Sequence, residues 1–315
     1  MISWFLRRLG QILPTLLILS FGIFALQQLM PGDPALILAG EERGDPAVLA
    51  QIRAELMLDR PLLEQYGHWL WRLLHGDFGF SWRIRVPVGE LLLDKLPVTA
   101  QLASMSFVIG VAIGVPAGVI SAVAKDKPLD WLMNAVALFG ISMPNFWLGI
   151  MMILLFSVQL GWLPPSGYVP LWEDPWQSLA TTIMPAFVLG TGVASVLMRH
   201  TRAAMLGALE QDYIRTARAK GVPWRRVVWV HGLRNASIPI VTVVGLYVGI
   251  LLGNSVLTEI VFNRPGLGKI IVGALNQRDY TMLQGLMVIY CFLIVVVNLV
   301  TDLLYGILDP RVKQA

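Results

Sequence analysis

The chain has 315 residues, of which 56% are apolar and 14% charged, with a formal charge of +4 and a mean hydropathy of +0.66. Soluble domains carry about a quarter charged residues, so an ordinary soluble enzyme is excluded and a membrane protein is indicated. The basic residues are divided among short segments beside apolar runs, which fits membrane topology better than a nucleic-acid surface.

Six stretches lack Asp, Glu, Lys and Arg: 11–29, 100–124, 131–160, 179–198, 237–258 and 283–301. Each has about the length a helix needs to cross a hydrocarbon core, so six transmembrane helices and an all-α polytopic fold are expected. Arg7 and Arg8 before the first stretch resemble a signal-peptide n-region. No small-x-small cleavage site follows, however, so residues 1–30 are read as an uncleaved helix.

Residues 31–99 form an extramembrane loop. The turn Pro31-Gly32-Asp33-Pro34 ends the first helix. Val48, Leu49, Ile52 and Leu56 then share one helical face, as do Leu62, Tyr66, Trp69, Leu70 and Leu73. Both read as short amphipathic helices that lie on a membrane or cap a cavity mouth.

The region 100–308 is expected to be a five-helix core, followed by a tail at 309–315. Gly110, Gly114 and Gly118 share a face of the second span, and Gly245, Gly249 and Gly253 a face of the fifth, as close-packing stripes do. Gly140 and Pro144 predict a tilt or kink in the third span. Ser142, Asn145 and Asn254 are the polar side chains there and in the fifth span proposed to face a pathway, since irregular backbone at that depth needs protein or water around it. Asn134, Gln159, Thr191 and Asn298 are further neutral polar groups within spans.

Between the fourth and fifth spans, residues 199–236 hold eight Lys or Arg against Glu210 and Asp212. Asp212 to Lys220 lacks Pro and Gly, Gly221 suits a left-handed C-cap, and Pro223 opens a second helix. Counting basic residues with the N-terminus inside gives 14 on the inner segments and three on the short outer loops at 161–178 and 259–282. Both termini and the 199–236 loop are therefore expected in the cytoplasm, and 31–97 outside.

Enzyme motifs are missing. Gly266-Leu267-Gly268-Lys269-Ile270 lacks the hydroxyl of a phosphate-binding loop. His68, His75, His200 and His231 have no metal-ligand spacing, Cys291 stands alone, and no Gly-x-Ser-x-Gly elbow occurs. The six uncharged spans also argue against a proton- or sodium-driven carrier, although carbonyl-based ion sites stay open. From the residues alone, a transport subunit driven from elsewhere and an uncoupled channel or pore subunit both remain.

Tyr213-Ile214-Arg215-Thr216-Ala217-Arg218-Ala219-Lys220-Gly221, then His231-x-Leu233-Arg234-Asn235-Ala236 and Pro239, resembles the cytoplasmic loop of ABC-importer membrane subunits. The group it resembles imports dipeptides, oligopeptides and nickel. The family's Glu-Ala-Ala-x3-Gly signature falls on Arg215, Thr216, Ala217 and Gly221, so its Glu and first Ala are replaced. Leu58-Asp59-Arg60-Pro61-Leu62, Gly76-Asp77-Phe78-Gly79, Pro265-Gly266-Leu267-Gly268 and Asp309-Pro310-Arg311 extend the likeness to most of the chain.

The resemblance implies a type I ABC importer membrane-subunit fold in a bacterial inner membrane. It implies a permease for short peptides, with a nickel chelate or another solute as the alternative cargo. Implied partners are a second homologous membrane subunit, two cytoplasmic ATPases that hold ATP and Mg, and an external solute-binding protein; no cofactor is expected in this chain. Residues 213–221 would be the ATPase-coupling element, with Tyr213, Ile214 and Ala217 as the docked face and Arg215 and Arg218 flanking it.

Overall fold

The computed structural model describes residues 2–28 and 33–308; the Pro31-Gly32 turn and the tail 309–315, with Arg311 and Lys313, lie outside the described residues. In chain order the first helices are α1 (Ile2–Gln28), α2 (Pro34–Ala39), α3 (Pro46–Glu55) and α4 (Leu62–Leu74). A hairpin of β1 (Phe80–Ser81) and β2 (Val86–Pro87) leads into α5 (Val88–Val123), α6 (Pro128–Ser142), α7 (Asn145–Met152) and α8 (Pro175–Leu209). Next come α9 (Asp212–Ala219) and α10 (Trp224–Arg226), which runs through a π turn (Val227–Gly232) into α11 (Leu233–Val261). The described chain closes with α12 (Leu267–Gln277) and α13 (Tyr280–Leu308).

Among the described residues, four helices are long and apolar enough to cross a membrane: α5, α8, the continuous run Trp224–Val261, and α13 over Tyr280–Thr301. The pair α6 and α7, with its π turn to Gln159, makes a fifth if counted as one span. Among the described residues α1 offers a shorter apolar helix, Ile12–Ala25, so the expected six spans are met there by length and composition up to five. The third span is more than kinked: α6 and α7 meet at 100°. Pro144 offers no N–H and drives Met143 out of the helical region, to φ −80° and ψ 125°.

The chain divides into two compact units, Met1–Pro97 with Pro265–Val295, and Val98–Arg264 with Val296–Ala315. In the first, Val88, Leu92, Leu267, Met282 and Leu286 form one apolar core. Ala35, Leu38, Ile52 and Tyr280 form a second, with Val48, Leu49 and Leu56 against it. The face of α3, expected on a membrane surface or at a cavity mouth, packs against this core. On α4, Tyr66 and Trp69 lie against Phe24 of α1, and the Tyr66 hydroxyl is 2.8 Å from Ser20 Oγ.

In the second unit α8 is the central element: 72% of its apolar window is buried, against 22–39% for the other three spans. The α5 glycines let it approach. A Cβ on Gly114 would lie 2.6 Å from the Ala194 carbonyl oxygen, and one on Gly118 2.5 Å from that of Met198. Leu102, Leu189, Leu197 and Leu251 fill the space around this seam. The α11 stripe is less uniform, because Gly245 faces Thr301 at close range whereas Gly253 has nothing within 4 Å.

Two ionisable residues just beyond the uncharged stretches are folded into this unit. Arg202 of α8 donates through Nε and Nη2 to both carboxylate oxygens of Asp130 on α6, at 2.7 and 2.6 Å. Asp130 is 3% exposed and also accepts from Ser121 Oγ, the Asp126 amide and Asn134 Nδ2. Asn134 is thus committed to an ion pair and not to a pathway.

Breaking a buried pair strands a charge. Asp130→Ala should cost about 3 kcal/mol, whereas Asp130→Leu with Arg202→Met should cost clearly less, as read by thermal unfolding in detergent. Gly118→Val should lower the yield of folded protein because α5 and α8 must separate, and Gly253→Ala should be tolerated.

Candidate functional site

Two features of the second unit answer to the expected site residues: the α9 turn and a cavity beside the α6–α7 break. The α9 helix starts at Asp212, whose carboxylate suits the N-terminal end of the helix dipole, and ends with Arg218 and Lys220 at the opposite pole. Lys220 closes it through its amide to the Thr216 carbonyl, and Gly221 follows at φ 77° with its amide 2.9 Å from the Arg218 carbonyl. Side chains rarely adopt that backbone, and nothing lies within 4 Å of where a Cβ would stand. The constraint at Gly221 is therefore conformational and not steric.

The faces of α9 differ from the expected docked face. Ile214 is 2% exposed and Ala217 half-buried, so both turn into the protein, where α9 packs on the Val227–Gly232 turn. Tyr213 is 39% exposed and donates its hydroxyl to the Ala208 carbonyl at 3.2 Å; burial pushes its pKa up, opposed by a hydrogen bond with Asn235. Arg215, Thr216, Arg218, Ala219 and Lys220 are exposed, and Arg218 lies over the Trp224 ring, 5.2 Å from its centroid. The outward face thus runs through Tyr213, Thr216 and Lys220, with Arg215 and Ala219 beside it. Ile214 and Ala217 hold the helix against its own chain.

The cavity has a volume of about 360 Å³. Met143 and Asn145 at the helix break, Gly192 and Val196 of α8, and Tyr247 and Asn254 of α11 are among the residues that line it. Asn145 and Asn254, 109 positions apart in the sequence, come to one cavity. Ser142 does not line it and is exposed elsewhere. Tyr247 is a lining group that sequence reasoning passed over, since a single Tyr in an apolar run carries no pattern. Among the described residues no charged side chain lines this space, and the lining offers neutral hydrogen bonds and apolar contact.

At one end of α11 a buried polar network ties α5, α8 and α11 together. Thr99 Oγ1 donates to Glu259 at 2.6 Å, and Gln101 Nε2 donates to Ser178 and Thr182 at 2.7 and 3.2 Å. Arg264, fully buried, donates from Nη1 to the Thr181 carbonyl and Thr182 Oγ1 and sits over the Tyr168 ring. Burial lowers its pKa to about 10, while Glu259 and Tyr168 oppose the shift, so the guanidinium stays charged at neutral pH. The sequence reading placed Glu259 and Arg264 in the outer loop 259–282, and the structure buries both.

Comparison with known proteins is consistent along the whole chain. Residues 114–314 match the family model described as binding-protein-dependent transport system inner membrane component, and residues 1–103 match its N-terminal counterpart. The chain is 41% identical to the dipeptide transport system permease protein DppB of Escherichia coli (strain K12), covering 100% of this chain and 99% of that protein. It is 42% identical to a putative peptide transport system permease protein of Brucella abortus (strain 2308) and to the glutathione transport system permease protein GsiC of Escherichia coli O1:K1 / APEC, with 99% of each chain covered.

Among solved structures, the inward-facing MetNI methionine ABC transporter matches with a TM-score of 0.59 at 22% identity, over 71% of this chain and 98% of that one. An amino acid ABC transporter with histidines matches at 0.53 and 15%, over 69% and 94%. These likenesses give the fold, which is that of ABC importer membrane subunits. With family models matched over residues 1–103 and 114–314 and full-length relatives above 40% identity, the chain belongs to the family of binding-protein-dependent transport system inner membrane components.

Proposed function

We propose that this chain is a membrane-spanning permease subunit of an ATP-driven, binding-protein-dependent importer of short peptides. The observation that carries the reading is the end-to-end 41% identity with a dipeptide permease, joined by peptide and glutathione permeases at 42%. The chain contributes half of a pathway and a second homologous membrane subunit the other half. A solute-binding protein delivers cargo from outside, and two ATPases inside hold ATP and Mg and do the hydrolysis, with no cofactor bound by this chain.

The 14-to-3 basic asymmetry supports cytoplasmic termini and an external 31–97 loop, with α1 as a sixth span. On this topology α9 faces the ATPases. Tyr213, Arg215, Thr216, Arg218, Ala219 and Lys220 meet the partner, Ile214 and Ala217 fix the helix to the permease, and Gly221 sets the turn that follows. Closure of the ATPases on ATP moves α9, the movement passes through Val227–Gly232 into α11, and the cavity beside Asn254 changes its access. Neutral lining suits cargo that shares a main chain and differs in side chains, with selectivity left to the binding protein.

Three measurements test this. With Cys291→Ser as background, an impermeant thiol reagent on intact cells should label Ala47→Cys and leave Lys220→Cys untouched; the reverse pattern would invert the topology. Gly221→Val carries a backbone penalty of about 1 kcal/mol or more, so the complex should assemble yet lose most coupled transport. Wild-type uptake in that variant would reduce α9 to a passive loop. Cells deleted for the gene should regain growth on a dipeptide as sole source of a required amino acid when a plasmid copy is supplied. Unchanged peptide use with lost nickel-dependent enzyme activity would replace the peptide by a metal chelate.

A further inference from the structure

Helix α4 keeps an apolar surface that the first unit leaves outside. A solvated amphipathic helix has two faces, a buried apolar one and an exposed polar one. Its 13 residues instead divide into three sectors around the axis. The first turns into the unit: Gln65 is buried, Tyr66, Trp69 and Leu73 are half-buried, and Arg72 donates to Asp77 at 2.7 Å and to Glu55 of α3 at 3.3 Å. The second holds Leu63, Trp71 and Leu74, exposed by 76, 64 and 74%. Gly67 lies among them, with open space where a Cβ would stand. The third holds Glu64 and His68, both exposed and one turn apart.

The position of α4 indicates what covers the second sector. The Tyr66 hydroxyl is 2.8 Å from Ser20 Oγ and 3.4 Å from the Leu17 carbonyl oxygen. Its ring meets those of Phe21 and Phe24, with centroids 5.3 and 5.6 Å apart, and Trp69 meets Phe24 as well. All these partners lie within Ile12–Ala25, the apolar part of α1. A helix held beyond a membrane would meet α1 only after Ala25. Instead α4 leans on the apolar body of α1, where Leu17, Ile18 and Phe21 are themselves exposed. The aromatic contacts on one side and the Arg72 ion pairs on the other fix its rotation, so the apolar sector cannot roll inward.

The remaining details agree. Trp71 stands at the border between the apolar and polar sectors, its ring 4.2 Å from that of His75, as an amphipathic ring does where hydrocarbon meets water. By contrast, α3 uses its apolar face in the core and leaves Ala47, Ala50, Gln51, Arg53 and Ala54 outside. The exposed sectors of α4 carry no Lys or Arg, so apolar area and not attraction to anionic headgroups would hold it.

We propose that α4 is an interfacial helix whose Leu63, Trp71 and Leu74 sector lies among lipid chains of the outer leaflet, with Glu64 and His68 toward water. The proposal rests on the reading of α1 as a sixth span and of residues 31–97 as external. The external loop is then seated in the bilayer at a point between its two ends.

The test uses the assembled transporter with Cys291→Ser, reconstituted in phosphatidylcholine vesicles. A nitroxide label is placed singly through Leu63→Cys, Leu74→Cys, His68→Cys, Gln51→Cys or Ile18→Cys, all exposed side chains that the fold does not need. Collision with dissolved oxygen reports lipid, and collision with a water-soluble nickel chelate reports water. At Leu63 and Leu74 the oxygen effect should dominate and the nickel effect should be lost, while His68 and Gln51 should keep the nickel effect. Nickel access at Leu63 and Leu74 with Ile18 protected overturns the interfacial helix and leaves α1 as a span. Nickel access at Ile18 overturns the six-span reading, and this proposal with it. Shielding of Leu63 and Leu74 from both reagents places another protein chain over the sector and likewise overturns the proposal.

Discussion

The second unit depends on how closely α5 can lie against α8. Lipid tails are as apolar as leucine, so burying side chains gives little drive for helix association in a bilayer, and close backbone contact must supply it. Gly114 and Gly118 remove the Cβ atoms that would collide with main-chain oxygens of α8. Once that seam is closed, α6 and α11 can pack on the remaining sides of α8. The high burial of α8 follows from this, and so does its role as the wall that both the cavity and the charged networks share.

Charge is confined to particular places in that unit. Asp130 and Arg202 pair where α6 approaches α8, and Glu259 and Arg264 lie buried near the end of α11. Between them the cavity carries only neutral polar groups. Ion pairs of this kind are weak sources of stability, but they penalise any rearrangement that separates the partners. Helices α6 and α8 are thereby held together, and the lining described for the cavity carries no tight electrostatic trap.

Much of this was legible in the sequence where the signal is local. Pro144 announces a break in its own span, Gly221 announces a left-handed residue, and apolar runs announce helices. The size of the bend at Met143 was not legible, because a proline removes one hydrogen bond and neighbouring packing decides what the freed backbone does. Pairing was hidden for a different reason. Asp130 and Arg202 are 72 residues apart and each borders a basic or polar segment, so each reads alone as a solvated charge. Ile214 illustrates the same limit. Its spacing on α9 identifies an apolar edge but not whether that edge meets this chain or a partner, and here it meets this chain. The hairpin between Phe80 and Pro87 is only two residues per strand, too short for any alternation to show.

The break between α6 and α7 also changes what the cavity is made of. An unbroken helix would consume its amides and carbonyls internally. Here the last turn of α6 and the first turn of α7 fall at the lining residues Met143 and Asn145, and α7 begins without a side-chain cap. Hydrogen-bonding capacity at that depth is then a property of the peptide backbone, written into the position of one proline. Replacing Asn145, Tyr247 or Asn254 one at a time leaves that capacity standing, so the cavity is buffered against side-chain mutation but exposed to any change that lets the two helices run straight.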